Sequence, residues 1–249
     1  MIEQTRNQLA QLKLHGVLAT LDDRLREATS TGWGHVELLS ALVQDEKLHR
    51  DSLKERARVR TARFRINASI DRFDFTAPRS ITRAQVSDLA RLSFVTEPRN
   101  LLIFGPTGVG KTFLASSLGF AACRAHFTTL FFGLHELIER LVLARVDGTW
   151  LKFRDRLSKC DLLIIDDVGL KKLEPTVVQD LYDVLEERQT LKSTIITSQL
   201  PLKNWKEIID DPVILEAILD RLIHGSIQIQ LDGDSYRKKR VANSAVDKP

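Results

Sequence analysis

Apolar residues change their spacing several times along the chain, and the changes divide it. From Leu9 through Leu12, Leu14, Val17, Leu18, Leu21 and Leu25 they recur three and four apart, the stripe of an amphipathic helix. Gly32-Trp33-Gly34 interrupts that stripe. A second helix is expected from about His35, with Val36, Leu38, Leu39, Leu42, Val43, Leu48 and Leu53 on its apolar positions. Asn67 to about Pro78 loses helical periodicity and ends in proline, which predicts a linker. Within it, Phe73 and Phe75 read either as anchors to the next domain or as part of an adenine pocket. A helix over roughly Thr82 to Phe94 follows.

From residue 101 onward, β-type runs alternate with helical ones. Thr128–Phe132 is β-rich, His135 to about Leu157 is helical and strongly charged, and Cys160-Asp161-Leu162-Leu163-Ile164-Ile165-Asp166-Asp167 has the form of a buried parallel strand whose tip emerges at a ligand site. Glu174–Gln189 predicts a helix, Ser193–Gln199 a strand with a polar tip, Leu215–Ile223 a short helix, and Ile227–Leu231 an alternating strand.

The first of these strands, Asn100–Phe104, runs into Gly105-Pro106-Thr107-Gly108-Val109-Gly110-Lys111-Thr112, and helical spacing resumes at Phe113. The eight residues match the phosphate-loop pattern G-x-x-x-x-G-K-[ST] at every fixed position, in the strand-loop-helix setting that the pattern requires. Glycines let the backbone approach an anion with its N–H groups and the following helix N-terminus aimed at it. Lys111 is expected on the β and γ phosphates and Thr112 on Mg²⁺, a hard ion that takes oxygen ligands. Asp166 is expected to hold Mg²⁺ through water, and Asp167 to orient or deprotonate an attacking water. Thr197, Ser198 and Gln199, at the tip of a neighbouring strand, are candidates for the γ-phosphate or its water. ATP and Mg²⁺ are therefore the expected cofactors.

Composition narrows the setting. The 249 residues are 43% hydrophobic and 28% charged, and no apolar run approaches bilayer length, so a globular protein without a membrane partner is expected. The first residues lack the basic-then-apolar character of a secretory signal, which makes the cytoplasm the default location. Cys123 and Cys160 stand in apolar sequence without partners at ligand spacing and read as buried thiols. The 37 Lys and Arg against 33 Asp and Glu give only +4, but the excess is concentrated. Lys54 to Arg65 carries six cations (Lys54, Arg56, Arg58, Arg60, Arg63 and Arg65) and one carboxylate, too dense for surface ion pairing. Phosphate backbone is a natural partner, and a solvated helix packed on an acidic surface of the same protein is the alternative. Lys152, Arg154 and Arg156 form a second basic group.

The phosphate loop, the strand ending in Asp166-Asp167, the polar-tipped strand and a late helix with Asp220-Arg221-Leu222 together resemble the AAA+ ATPases. More narrowly, the chain resembles the IstB/DnaC-like group, which comprises transposition helper ATPases of insertion sequences and relatives that load replicative helicases. Leu12-Lys13-Leu14-His15-Gly16, Ile195 to Pro201 and Gly233-Asp234-Ser235-Tyr236-Arg237 carry that narrower likeness, which covers nearly the whole chain. The Leu-Lys-Leu-x-Gly segment and the length favour the helper over the helicase loader.

The resemblance implies an α/β fold, a parallel sheet flanked by helices and preceded by a small all-helical domain. It places a helical DNA- or partner-binding domain at 1–66, a linker at 67–80, the ATPase domain at 81–240 and a disordered tail at 241–249. It also implies assembly as a homo-oligomer, ring or helical, on double-stranded DNA, with delivery of that DNA to a transposase encoded by the same element. Hydrolysis of ATP would release or remodel the assembly. Asp167 stands where many AAA+ proteins have glutamate, and Gln199 where the group usually has asparagine as sensor. Arg221 matches the arginine finger that enters a neighbour's site, the alternative being an ion pair with Asp220 or Glu216. Arg237 is a second sensor or a DNA contact. A small-molecule kinase built on the same loop is the competing class, and no acceptor-pocket or arginine-bearing lid pattern supports it.

Overall fold

The structure, a computed structural model, describes residues 2–76, 80–169, 172–233 and 235, so Arg237 and the 241–249 tail lie outside the described residues. The chain divides into two compact units between Arg58 and Val59.

The first unit is helical: α1 (Ile2–Gln11), α2 (His15–Thr31) and most of α3 (His35–Ala62). The continuous stripe from Leu9 to Leu25 is in fact broken, because the backbone at Lys13 turns left-handed, with φ of 57°. The break frees the start of α2 for a tight contact. A Cβ added to Gly16 would stand 2.6 Å from the Glu46 Cα, so α2 and α3 cross backbone to backbone there. The Glu46 carboxylate accepts the N–H of Gly16 at 2.7 Å and of Val17 at 3.3 Å, satisfying orphan donors at the α2 N-terminus. Two turns further along α2, Arg24 grips Asp45 with Nε at 2.8 Å and Nη2 at 2.9 Å and holds its carboxyl down to about 2. Gly32, with φ of 70°, ends α2 in a left-handed cap.

The second unit holds α4 (Arg83–Ala90), α5 (Ser93–Thr96), β1 (Leu101–Phe104), α6 (Lys111–Arg124), β2 (Thr129–Gly133), α7 (Leu134–Val146), α8 (Trp150–Lys159), β3 (Leu162–Val168), α9 (Pro175–Arg188), β4 (Ser193–Ser198), α10 (Pro212–Ile223) and β5 (Ile227–Gln230), with 3₁₀ turns at Ile70–Arg72 and Leu202–Glu207. Two expected helices are each split. The 82–94 stretch breaks at Leu92, which has φ of 59°, and the 135–157 stretch breaks at Gly148, which has φ of 67° and ends α7. The expected linker at 67–80 is anchored: Phe73 is buried and its ring lies 6.1 Å from that of Phe113 on α6.

All five strands of the described sheet are parallel, in the order β2-β3-β4-β1-β5. Alternation along each strand divides the core between the two faces. Leu102, Phe104, Leu163 and Ile165 pack with α7, α9 and α10, while Leu101, Ile103, Leu162 and Ile164 pack with α6 and the 73–95 segment. Arg188, 1% exposed, pins the end of the sheet remote from the phosphate loop. It donates to the Leu157 carbonyl at 2.6 Å, the Cys160 carbonyl at 2.8 Å and the Thr194 hydroxyl at 3.0 Å. Burial lowers its pKa from the usual arginine range, and those acceptors compensate its charge. Cys123 and Cys160 are both buried thiols.

Candidate nucleotide site

The loop Gly105–Thr112 links the carboxyl end of β1 to the first turn of α6. Close packing dictates two of its glycines. A Cβ on Gly105, at φ of 146°, would fall 2.0 Å from the Leu231 carbonyl oxygen, and one on Gly108, at φ of 88°, would fall 2.2 Å from Ser235 Oγ. Lys111 folds back over the loop, its Nζ donating to the carbonyls of Gly105 at 2.7 Å and Pro106 at 2.8 Å. An ammonium already aimed along the loop, beside N–H groups at a helix start, is a cradle for an anion.

The acidic strand arrives beside it. The Thr112 hydroxyl lies 3.0 Å from both carboxylate oxygens of Asp166, and the Thr197 hydroxyl donates to Asp166 Oδ1 at 2.6 Å. Asp166 is fully buried. Burial pushes its carboxyl up from the ordinary value, the hydrogen bonds from Thr197 and Thr112 oppose that, the charge of Asp167 adds to it and Arg65 counters it. A carboxyl raised in this way favours folding while protonated, and that contribution is lost as pH rises through its folded value. Asp166→Asn is therefore expected to raise the melting temperature of the nucleotide-free protein at neutral pH. The same variant should lose the added stability that Mg²⁺ gives in the presence of nucleotide. Differential scanning calorimetry with and without Mg²⁺ and nucleotide checks both, and a lower nucleotide-free melting temperature would contradict this account of Asp166.

Asp167 adopts φ of 60° and turns its side chain toward solvent, leaving it 37% exposed. Its backbone N–H donates to the Thr197 hydroxyl at 3.0 Å, so Thr197 ties the two acidic residues together. Of the three polar residues at the tip of β4, Gln199 accepts from Thr107 of the loop at 2.7 Å, whereas Ser198 closes a local turn with Leu200. A cavity of about 240 Å³ opens over these groups, lined by the loop, Asp167 and Gln199 on one side and by Ile66, Arg72, Phe73, Asp74 and Phe113 on the other. Phe73 is thus both an anchor and a wall of the cavity. The signal for Thr197 is its polar place in an apolar strand; nothing local in the sequence marks Ile66 or Arg72.

Arg221 sits elsewhere. Near the end of α10, its backbone carbonyl accepts from Asn100, the residue before β1, at 2.9 Å. It therefore lies at the amino end of the strands, opposite the loop. Its guanidinium pairs with Glu186, meets the Tyr182 hydroxyl at 3.0 Å and lies 4.7 Å over the Tyr182 ring. The partner is thus neither Asp220 nor Glu216. Tyr182 and Glu186 share a face of α9 four residues apart, but no sequence pattern connects them with Arg221.

The basic positions are dispersed. Lys54, Arg56 and Arg60 are exposed on α3, Arg58 is half-buried, and Arg63 lies beyond the helix end. Arg65 stands at the nucleotide site, 3.9 Å from Asp167. On α8, Arg154 pairs with Glu187 at 3.1 Å, while Lys152 and Arg156 remain exposed.

A parallel sheet with β1 between β4 and β5, a phosphate loop after β1 and a carboxylate pair at the end of β3 define a P-loop protein of the AAA+ class. Within that class the chain belongs to the IstB-like ATP-binding proteins, whose family model matches residues 7–244. An insertion-sequence ATP-binding protein of Sinorhizobium fredii is 37% identical over 95% of this chain and 96% of its own. One from Mycobacterium tuberculosis is 36% identical over 94% of each, and the ATP-binding protein of insertion sequence IS21 from Pseudomonas aeruginosa is 32% identical over 96% of this chain and 90% of its own. Among solved structures, DnaI superposes with a TM-score of 0.57 at 20% identity over 71% of this chain and 93% of its own. The DnaC helicase loader does so with 0.55 at 23% identity over 66% and 97%. These likenesses show the shared fold. No helix among the described residues is long and apolar enough to cross a membrane.

Proposed function

We propose that the protein is an ATP-hydrolysing helper of transposition that assembles head to tail on double-stranded DNA and presents it to the transposase of its element. The observation that carries the proposal is the separation of Arg221 from the loop of its own chain. β1 alone spans roughly 13 Å between them, so a finger at Arg221 serves a neighbouring subunit. The relatives' association with insertion sequences supplies the transposition context.

In this reading Lys111 and the loop N–H groups bind the ATP phosphates, and the 66–74 wall with Phe113 takes the adenine. Thr112 and Asp166 are hard oxygen donors that suit Mg²⁺, which when bound neutralises phosphate charge. Asp167 orients the attacking water, with Thr197 fixing its backbone, and Gln199 connects loop and sensor strand. Arg237 remains a candidate second sensor or DNA contact.

Duplex DNA is held through its phosphates by the exposed cations of α3, helped by Lys152 and Arg156 on α8. Replacing Lys54, Arg56 and Arg60 with glutamine is expected to weaken duplex binding regardless of sequence. It should also flatten the plot of log affinity against log salt by about 0.9 for each phosphate no longer neutralised. Fluorescence anisotropy of a labelled duplex between low and moderate salt measures both. Unchanged affinity and slope would remove DNA from the role of α3 and favour the alternative, a helicase loader, which rests on fold likeness alone.

A further inference from the structure

Arg65 lies three residues past the end of α3, and its neighbour Ile66 lines the nucleotide cavity. Its guanidinium meets two features at the carboxyl end of the sheet. Nη1 stands 3.9 Å from Asp167 Oδ2, both side chains remaining open to water at 44% and 37% exposure. Nη2 stands where a side chain on Gly133 would be, 1.9 Å from the position of an added Cβ. Gly133 is in register with Asp166 across β2 and β3, so the missing Cβ admits a cation beside the two acidic residues. A long, solvent-open ion pair is weak and easily exchanged. A terminal phosphate accepts from the planar fork of a guanidinium more strongly, with two parallel charge-assisted bonds.

We propose that Arg65 is a γ-phosphate sensor acting within its own chain: it rests on Asp167 when the site lacks a triphosphate and transfers to the γ-phosphate of bound ATP, leaving Asp167 free for water. The inference rests on the ATP site proposed above. It also ties the presence of the γ-phosphate to the end of the basic helix, because only Arg63 and Phe64 separate Arg65 from Ala62. The Phe64 ring is itself fixed, stacked 4.3 Å from Phe120 of α6.

The test is calorimetric titration of the full chain with ADP and with a slowly hydrolysed ATP analogue. Arg65→Gln is expected to bind ADP within about twofold of wild type and the triphosphate about tenfold more weakly. Gly133→Ala should reproduce that defect with the arginine retained. Gly133 has φ of −71° and ψ of 145°, which alanine adopts freely, so the added methyl acts by displacing the guanidinium. Equal losses for ADP and triphosphate would reveal a merely structural role and overturn the proposal, as would an unchanged ratio in either variant. Failure of the wild type to bind either nucleotide would instead overturn the ATP site itself, a separately recognisable result.

Discussion

Lys111→Ala is expected to weaken ATP binding by about a hundredfold or more. The Lys111 side chain is 5% exposed and already aligned along the loop, so little conformational entropy remains to be lost when phosphates arrive. Exchanging two carbonyl acceptors for phosphate oxygens strengthens each bond by adding full charge to the acceptor. Removing two such bonds, at about 1.5–3 kcal/mol each, places the loss between two and four decades. The variant also leaves the Gly105 and Pro106 carbonyls without this donor, so a drop of about 1–2 kcal/mol in nucleotide-free stability should accompany it. Calorimetric titration with ATP and urea unfolding measure the two effects. Wild-type ATP affinity in the variant would mean that the loop is not a phosphate site.

Arg221→Ala is expected to leave ATP binding unchanged and to lower hydrolysis in the DNA-assembled state by about a thousandfold, within the range known for fingers supplied in trans. The guanidinium, 18% exposed, is held by Glu186 and Tyr182 between α9 and α10 at the end of the sheet opposite the loop, so its removal leaves the phosphate loop of its own chain intact. A finger in trans has a signature that a structural ion pair lacks. Mixing Arg221→Ala subunits with Lys111→Ala subunits should recover part of the lost rate, because some interfaces then join an intact loop to an intact finger. Phosphate release by the assembled variant at the wild-type rate would exclude the finger role.

The phosphate loop and the acidic strand were legible from sequence because both are contiguous: the backbone conformations and charges they need are specified within eight residues each. Strand positions were legible for a related reason, since fully buried parallel strands read as unbroken aliphatic runs. The helix breaks at Lys13 and Leu92 were not, because both residues are ordinary helix formers in left-handed conformation, Leu92 buried in the core and Lys13 in a turn closed by the Leu14 N–H on the Leu9 carbonyl at 2.9 Å. Arg65 shows the limit most clearly. In sequence it is the last of a basic series and belongs with Arg60 and Arg63. In the fold, a glycine on β2, far away along the chain, opens the space that places it beside Asp167. Thr197, joining Asp166 to Asp167, likewise emerges only from the parallel register of β3 and β4.

The place of β1 between β4 and β5 bears on how this protein is made. Its partners β4 and β5 both lie far downstream, and the Leu231 carbonyl packs against Gly105 at the start of the loop. A nascent chain therefore carries the whole phosphate loop through most of its remaining synthesis without a sheet to hold that loop in shape. An interrupted translation product that ends before β5 and Leu231 is therefore expected to bind ATP far more weakly than the full chain.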